Sequence, residues 1–465
     1  MEFKTTDDIL SALGPCAQVA QAGLQVKDWA AFRTTAIDRL AWNAVFAQDA
    51  AVRDACRWLC RAAAHAQGAF AASIHELYLA RGRGEHAGFA VPAVNIRGMT
   101  YDVARAIFRT ATKLNAGPVI CEIARSEIGY TFQRPSEYAA LIFAAACKEG
   151  WTGPVFVQGD HFQTNAKKFA DDPAKEAGEI RKLIDEAVPA GFLNIDIDTS
   201  TLVNLTPPAI AEQQRANYEN CAAFTKHIRS LEPKGVTVSV GGEIGEVGFK
   251  NSTVEELSAF MDGYRAALPE GMAGISKMSV QTGTSHGGIP LPDGTVAKVD
   301  IDFDTLKAIS DAARTKYGLG GAVQHGASTL PEALFDRFPQ TGTGEIHLAT
   351  EFQNMMLDHP QFPASLRERM FQWCRDHCKD EMKEGQTDKQ FVYKTRKKAW
   401  GPFRKEVWEL PEAAKAAIRG SLEAKFETLF RKLGLAGTRG ALAAIRHARV
   451  LPAAPAALTG KAAGA

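Results

Sequence analysis

Between about residue 90 and residue 350 short apolar runs alternate with longer stretches in which apolar side chains recur at helical spacing. That alternation predicts βα units and a parallel sheet. The predicted strands are VPAVN (91 to 95), PVICEIA (118 to 124), PVFVQ (154 to 158), LNIDID (193 to 198), VTVSVGG (236 to 242), GISKMSV (274 to 280), GGAVQ (320 to 324) and GEIHLA (344 to 349). Amphipathic stretches separate them, among them Tyr101 to Leu114, Pro135 to Glu149, Glu212 to Leu231 and Asp302 to Tyr317. Near residue 253, Thr253-Val-Glu-Glu256 reads as a capping box that starts a helix. Eight βα units over roughly 260 residues predict a TIM (β/α)8 barrel with extra helices at both ends. A doubly wound sheet fits less well, because no glycine-rich fingerprint follows the first strand.

The pattern divides the chain into four parts. Residues 1–89 are alanine-rich, with Trp29, Phe32, Trp42, Phe46, Trp58 and Leu59 at core-facing spacings, and predict a helical N-terminal extension. Residues 90–362 form the barrel. Residues 363–448 predict a helical C-terminal extension that carries the basic segment YKTRKKAWGPFRKEVW (393 to 408), and 449–465, poor in large apolar groups, predict a disordered tail.

Composition narrows the functional classes. Lysine and arginine total 54 against 53 aspartate and glutamate residues, a net charge of +1, so no global field favours nucleic acid or an anionic membrane. The start, MEFKTTDDIL, lacks a basic segment followed by an apolar one, and no apolar stretch approaches membrane-spanning length; a cytoplasmic protein is expected. Eight scattered cysteines without CxxC spacing predict reduced thiols. Cys374, His377 and Cys378 lie on adjacent helical positions, yet a structural zinc needs a fourth ligand.

In such a barrel the chemistry sits where strands end. Collecting the residues there returns Asp160 and His161 from VFVQGDH, Glu243 from GGEIGEVG, His286 from QTGTSHGG and His325 from QHGAS. A single histidine beside glycine is more often a loop or core residue. Three that converge on one rim with two acids match the ligand set of a catalytic zinc, three imidazoles and an open position. Gly287, Gly288 and Gly326 would let the backbone approach a ligand and present N–H groups to an anion. Alternate strand residues face opposite sides, so consecutive Asp160 and His161 can serve one site only if the strand breaks into its loop, which Gly159 would permit.

GDH, SVGGEIGEVG, GTSHGG followed by VDIDFDTLKAI, HGAS and GEIHLATE occur in that order between about residues 74 and 357. Together they resemble the successive signatures of the class II, metal-dependent fructose-bisphosphate aldolases. The resemblance implies that His161, His286 and His325 hold Zn2+ or another divalent ion, with Glu243 as an alternative contact. Asp160 would handle the C4 hydroxyl proton, while Gly287, Gly326, Ser328 and Thr350 would cradle a substrate phosphate. The implied reaction cleaves or forms the C3–C4 bond of a phosphorylated ketose, and the implied assembly is a homodimer or homotetramer. The chain departs from the family pattern after Glu243: EVGFKNST replaces an acid-rich loop and leaves Glu246 as the nearest acid for the second proton transfer. The family's asparagine after the eighth strand is matched by His347, its neighbouring lysine by Glu345, and the serine after the second strand by Ala124, so substrate contacts differ.

Three other readings compete. Lys277 inside a strand could form a Schiff base and make a metal-free aldolase. The same metal chemistry could end in epimerisation of a ketose or keto-sugar acid. The barrel could also be a non-catalytic partner subunit. The basic segment around Arg396 is either a solvated helix face or a cationic arm that reaches the substrate phosphate.

Overall fold

In the computed structural model residues 2–20, 23–245, 250–283, 291 and 301–459 are described. The strands are β1 (Ala17–Ala20), β2 (Gly23–Val26), β3 (Ala69–Ala71), β4 (Val91–Asn95), β5 (Ile120–Ala124), β6 (Gly153–Gln163), β7 (Asn194–Asp198), β8 (Ser239–Glu243), β9 (Lys277–Val280), β10 (Ala322–Gln324) and β11 (Glu345–Leu348). Strands β4 to β11 pair in parallel, and the β6–β7 pairing closes them into an eight-stranded barrel. All eight predicted strands are present. They were legible because the surrounding helices bury their outer faces, so each reads as an apolar run.

The inner face departs from the usual barrel filling of branched aliphatic side chains. Glu122, Gln158, Asp196, Lys277 and Glu345 all project into the interior and are buried. Lys277 Nζ donates to Gln158 Oε1 at 2.7 Å and to Glu345 Oε1 at 2.5 Å, and lies 2.8 Å from Asp196 Oδ1. Gln158 Nε2 donates to Glu122 Oε2 and Glu345 Oε1, both at 2.9 Å, and the Tyr78 hydroxyl donates to Glu345 Oε2. Asp196 and Lys277 both pair in register with Gly241, on the strand between theirs. A Cβ at Gly241 would run into Asp196 Oδ1 and come within 3.0 Å of Lys277 Cε. Glycine at 241 is what lets the ion pair reach across the intervening strand.

The terminal segments are packed on this barrel. Helices Ile37–Phe46 and Ala50–Gln67 lie against Pro135–Lys148, and Glu412–Lys432 lies against Thr100–Lys113. Arg419 pairs with Asp102 there in a buried contact. The Trp400 indole covers Gly98, where any Cβ would collide with the ring. Two features differ from the sequence reading. Residues 1–89 are not purely helical: β1 and β2 form an antiparallel hairpin, and β3 pairs with the start of β6 before β7 takes over that edge. The segment from 449 to 459, expected to be disordered, is packed: Pro452 accepts a hydrogen bond from Trp58 Nε1 at 2.9 Å, and Leu458 is buried. A few apolar contacts suffice because the hairpin and Trp58 supply the other half of that surface.

No helix among the described residues is long and apolar enough to cross a membrane. All eight cysteines are buried and unpaired, and burial pushes the Cys56 and Cys147 thiols up to about 12.

Two outcomes follow from this packing. Ellman's reagent should label almost no thiol within minutes in the native protein and all eight once the chain is unfolded in guanidinium; rapid native labelling would contradict the burial. Gly241→Ala should lower the unfolding free energy in urea by about 3 kcal/mol or more, by breaking a buried ion pair. Gly242→Ala, whose Cβ would have side-chain atoms of Ile275 and Phe260 as its nearest neighbours at 3.2–3.4 Å, should cost clearly less; equal losses would show that Gly241 is not needed for the Asp196–Lys277 contact.

Candidate active site

The strand that carries Asp160 and His161 does not break where the sequence suggested. It continues to Gln163, and its register against β7 slips: Gly159 pairs with Ile195 and Phe162 with Ile197. Asp160 and His161 therefore stand opposite the single residue Asp196, a β-bulge that turns consecutive side chains into one site. His161 takes a positive φ of 39°, unusual for a residue with a Cβ. Gly159 serves differently from the expectation: a Cβ there would lie 2.5 Å from the Phe162 ring, which folds back onto it.

The bulge places His161 beside the acids of the two following strands. Its Nδ1 lies 3.1 Å from Asp198 Oδ2 and 3.3 Å from Glu243 Oε2. The His161 and His325 rings are 4.3 Å apart between centroids, and His325 Nε2 is 3.0 Å from Ser279 Oγ. Asp160, His161 and His325 offer ligand atoms within 4.8 Å of one another, as do His161, Asp198 and Glu243. Asp160 Oδ2 accepts from Asn95 Nδ2 at 3.4 Å, and its Oδ1 is 3.7 Å from His161 Nε2.

Below these groups lies His347. Expected among the substrate contacts, it lines the pocket at the strand ends and is surrounded by carboxylates. Its Nδ1 is 3.1 Å from Glu122 Oε1 and 3.2 Å from Asp160 Oδ1, and its Nε2 is 2.7 Å from Glu345 Oε1. Burial would lower the His347 pKa, but Glu122 and Asp160 outweigh it and hold the imidazole well above its ordinary value. Burial also opposes the charge on Lys277, yet Asp196 and Glu345 raise it above the usual lysine range. Lys277 Nζ is thus held by Gln158, Asp196 and Glu345, an arrangement that favours its charged form over the free amine a Schiff base needs. Burial raises the Asp196 and Glu122 carboxyls, and Lys277 and His347 only partly offset it; at Glu345 the same two cations win over burial and lower it.

Six buried carboxylates, Glu122, Asp160, Asp196, Asp198, Glu243 and Glu345, thus share the barrel interior with one lysine and the imidazoles of His161, His325 and His347. Imidazole and carboxylate donors under an excess of negative charge fit a divalent cation.

Of these, Glu122, Asp160, His161, His325 and His347 line a pocket of about 270 Å³ at the carboxyl ends of the strands, the expected end for chemistry in this fold. Its other side is cationic and hydroxyl-bearing, with Arg97, Lys397, Ser126, Ser328 and Thr350, and with Gly326 at a φ of 68°. Arg97 Nε donates to Glu127 Oε1 at 2.7 Å and its Nη1 reaches Thr350 Oγ1 at 3.4 Å. Burial, then the Arg97 charge, lowers the Lys397 pKa, while Glu127 acts the other way.

Of the residues singled out from sequence, Asp160, His161, Glu243, His325, Gly326, Ser328, His347 and Thr350 come together at this mouth. Arg396 does not. Its guanidinium grips Asp358 at 3.0 Å and packs over Tyr393, and the next residue, Lys397, reaches the pocket. Glu246, His286 and Gly287 lie outside the described residues. Sequence reasoning missed Asp198, Glu122 and Arg97. Asp198 carried a signal, since it ends LNIDID as Asp160 ends its own run.

In the solved structure of the fructuronate-tagaturonate epimerase UxaE from Cohnella laeviribosi the likeness covers 74% of this chain and 81% of that one, with 11% identity and a TM-score of 0.53. A probable tagatose 6 phosphate kinase from Sinorhizobium meliloti 1021 is matched over 76% of this chain and 98% of its own, with 18% identity and a TM-score of 0.53. The fructose-bisphosphate aldolase of Campylobacter jejuni is matched over 77% and 92%, with 18% identity and a TM-score of 0.44. At these identities the two likenesses with a TM-score of 0.53 speak to the fold alone, which is the barrel. The family model for class II fructose-bisphosphate aldolase matches residues 82–401, more than two thirds of the sequence, and the chain belongs to that family.

Proposed function

We propose that the protein is a metal-dependent aldolase that cleaves or forms the C3–C4 bond of a phosphorylated ketose. The observation that carries the reading is the meeting, in one pocket, of Asp160, His161 and His325 with the cationic wall of Arg97 and Lys397. His161 and His325 would hold the ion, Zn2+ in the simplest case, together with His286, and Asp198 and Glu243 would orient His161 through its Nδ1. The ion supplies Lewis-acid stabilisation of the negative charge that C–C cleavage leaves on the ketose fragment. Asp160 takes the C4 hydroxyl proton as general base, with Asn95 and His347 fixing its two oxygens. Arg97, Lys397, Ser328 and Thr350 hold the phosphate and so set the sugar against Asp160.

A second reading, epimerisation of a ketose or keto-sugar acid, is favoured by one observation. His347 and Glu345, which replace the family's asparagine and lysine, face Asp160 and Lys277 here. Carbon count in the products separates it from aldol cleavage.

Dialysis against EDTA should abolish the release of trioses from a panel of ketose mono- and bisphosphates, and Zn2+ should restore it. Borohydride with substrate should not inactivate the enzyme. Asp160→Asn should lower kcat by about 100-fold or more at unchanged metal content. Activity that survives chelation, or products that keep all their carbons, would defeat the aldolase reading. Asp198→Asn should weaken metal binding about 10- to 100-fold in competition with a fluorescent chelator. Unchanged affinity would mean that the ion does not sit on His161.

A further inference from the structure

The catalytic pocket does not end at its cationic wall. Ser126 and Lys397 also line a second cleft of about 540 Å³, twice the volume of the first. Its walls are aromatic: Tyr130, Phe132 and Trp373, with His377 stacked flat on the Trp373 ring at 4.6 Å and 11°. Lys397 Nζ sits 5.9 Å above the Tyr130 ring, at the join between the two spaces.

Phe132 is the unusual member. It follows helix Arg125–Thr131 in a left-handed conformation, with φ at 59°, where glycine or asparagine is the ordinary choice. A bulky side chain there costs on the order of 1–3 kcal/mol. Its ring is nevertheless 51% exposed, so core burial does not repay that strain. The conformation is held from behind: Phe132 O accepts from Arg404 Nη1 at 2.7 Å, and Gly401 leaves room for the ring and for Tyr130 O. Lys398, the other cation of the cleft, is tied to Glu381, which leaves the aromatic faces and Lys397 as the recognition groups.

We propose that the substrate extends beyond the anionic group held at Lys397 and places a planar, aromatic or nucleobase-like group in this cleft, against Phe132 and Trp373. A terminal phosphate monoester would fill only the catalytic pocket. An esterified phosphate would pass Lys397 and stack its substituent on the aromatic faces, where such contacts are worth about tenfold or more in affinity. The inference rests on the anion seat assigned under the proposed function, and it names the substrate class that this seat would select.

The test uses unreactive probes on the zinc-loaded full chain, read by calorimetry: inorganic phosphate, methyl phosphate and phenyl phosphate. Phenyl phosphate should bind about tenfold more tightly than methyl phosphate, and the gap should close in Phe132→Asn and in Trp373→Leu while inorganic phosphate affinity stays unchanged. Phe132→Asn suits the left-handed backbone, so it keeps the test decisive even where Trp373→Leu fails to fold. Equal binding of the two esters, or a gap that survives Phe132→Asn, overturns the extension while leaving the aldolase reading intact. No binding of inorganic phosphate overturns the anion seat and both proposals with it.

Discussion

The contact on which the rest of this structure depends is the buried ammonium of Lys277 between Asp196 and Glu345. Three strands contribute to it, and a glycine on a fourth makes room for it. An ion cluster of this kind adds little net stability over a well-packed apolar layer, since desolvating each charge costs several kcal/mol. Its consequence is directional. With Lys277 occupied, Glu345 can accept from Gln158 and lie against His347, and His347 in turn lies against Asp160. The position of the proposed base is thereby set from beneath by a chain of charge-assisted contacts, each desolvated and each intolerant of a missing partner.

A second constraint acts from the side. Had β6 kept its register against β7, Asp160 and His161 would point to opposite faces, and only one could meet the pocket. One extra residue and one left-handed φ remove that restriction, and they bring His161 onto the carboxylates at the ends of β7 and β8. The left-handed φ at His161 and the inward ion cluster solve the same problem, which is to fix several polar groups against one another inside the barrel.

The eight strands and most of the rim could be read from the sequence because burial on both faces leaves a plain apolar run, and a histidine at its end stands out. Asp198 stood at such an end too, but an acid after an apolar run is common and drew no notice without an imidazole beside it. The interior polar layer was not legible. Glu122, Asp196, Lys277 and Glu345 occur singly in four distant strands, and only the barrel's register makes them neighbours. The bulge was invisible for the same reason, since an extra residue exists only relative to a partner strand. In the basic segment, residues 396–400 form a 3-10 turn, and that tight turn points Arg396 at Asp358 and Lys397 at the pocket. Composition cannot choose between adjacent cations.

The departures from the family pattern become intelligible as one change. A lysine at 345, as the resemblance would have it, would stand against Lys277 and leave two buried cations facing each other. With glutamate there, the positive charge of that layer resides on β9, and the acid on β11 is free to engage an imidazole at 347. Residues 345 and 347 are thus in direct contact, and a lysine at 345 alone would leave two buried cations, Lys277 and itself, beside the His347 imidazole. The proposed anion seat is independent of this layer. Its cations come from the loop after β4 and from the C-terminal segment, which Trp400 clamps onto Gly98. The proposed metal ligands and base therefore stand on the barrel strands, while the cationic wall of the pocket comes partly from the segment that follows the barrel. A barrel so divided can keep its histidine and carboxylate cluster unchanged while the cationic wall facing it varies.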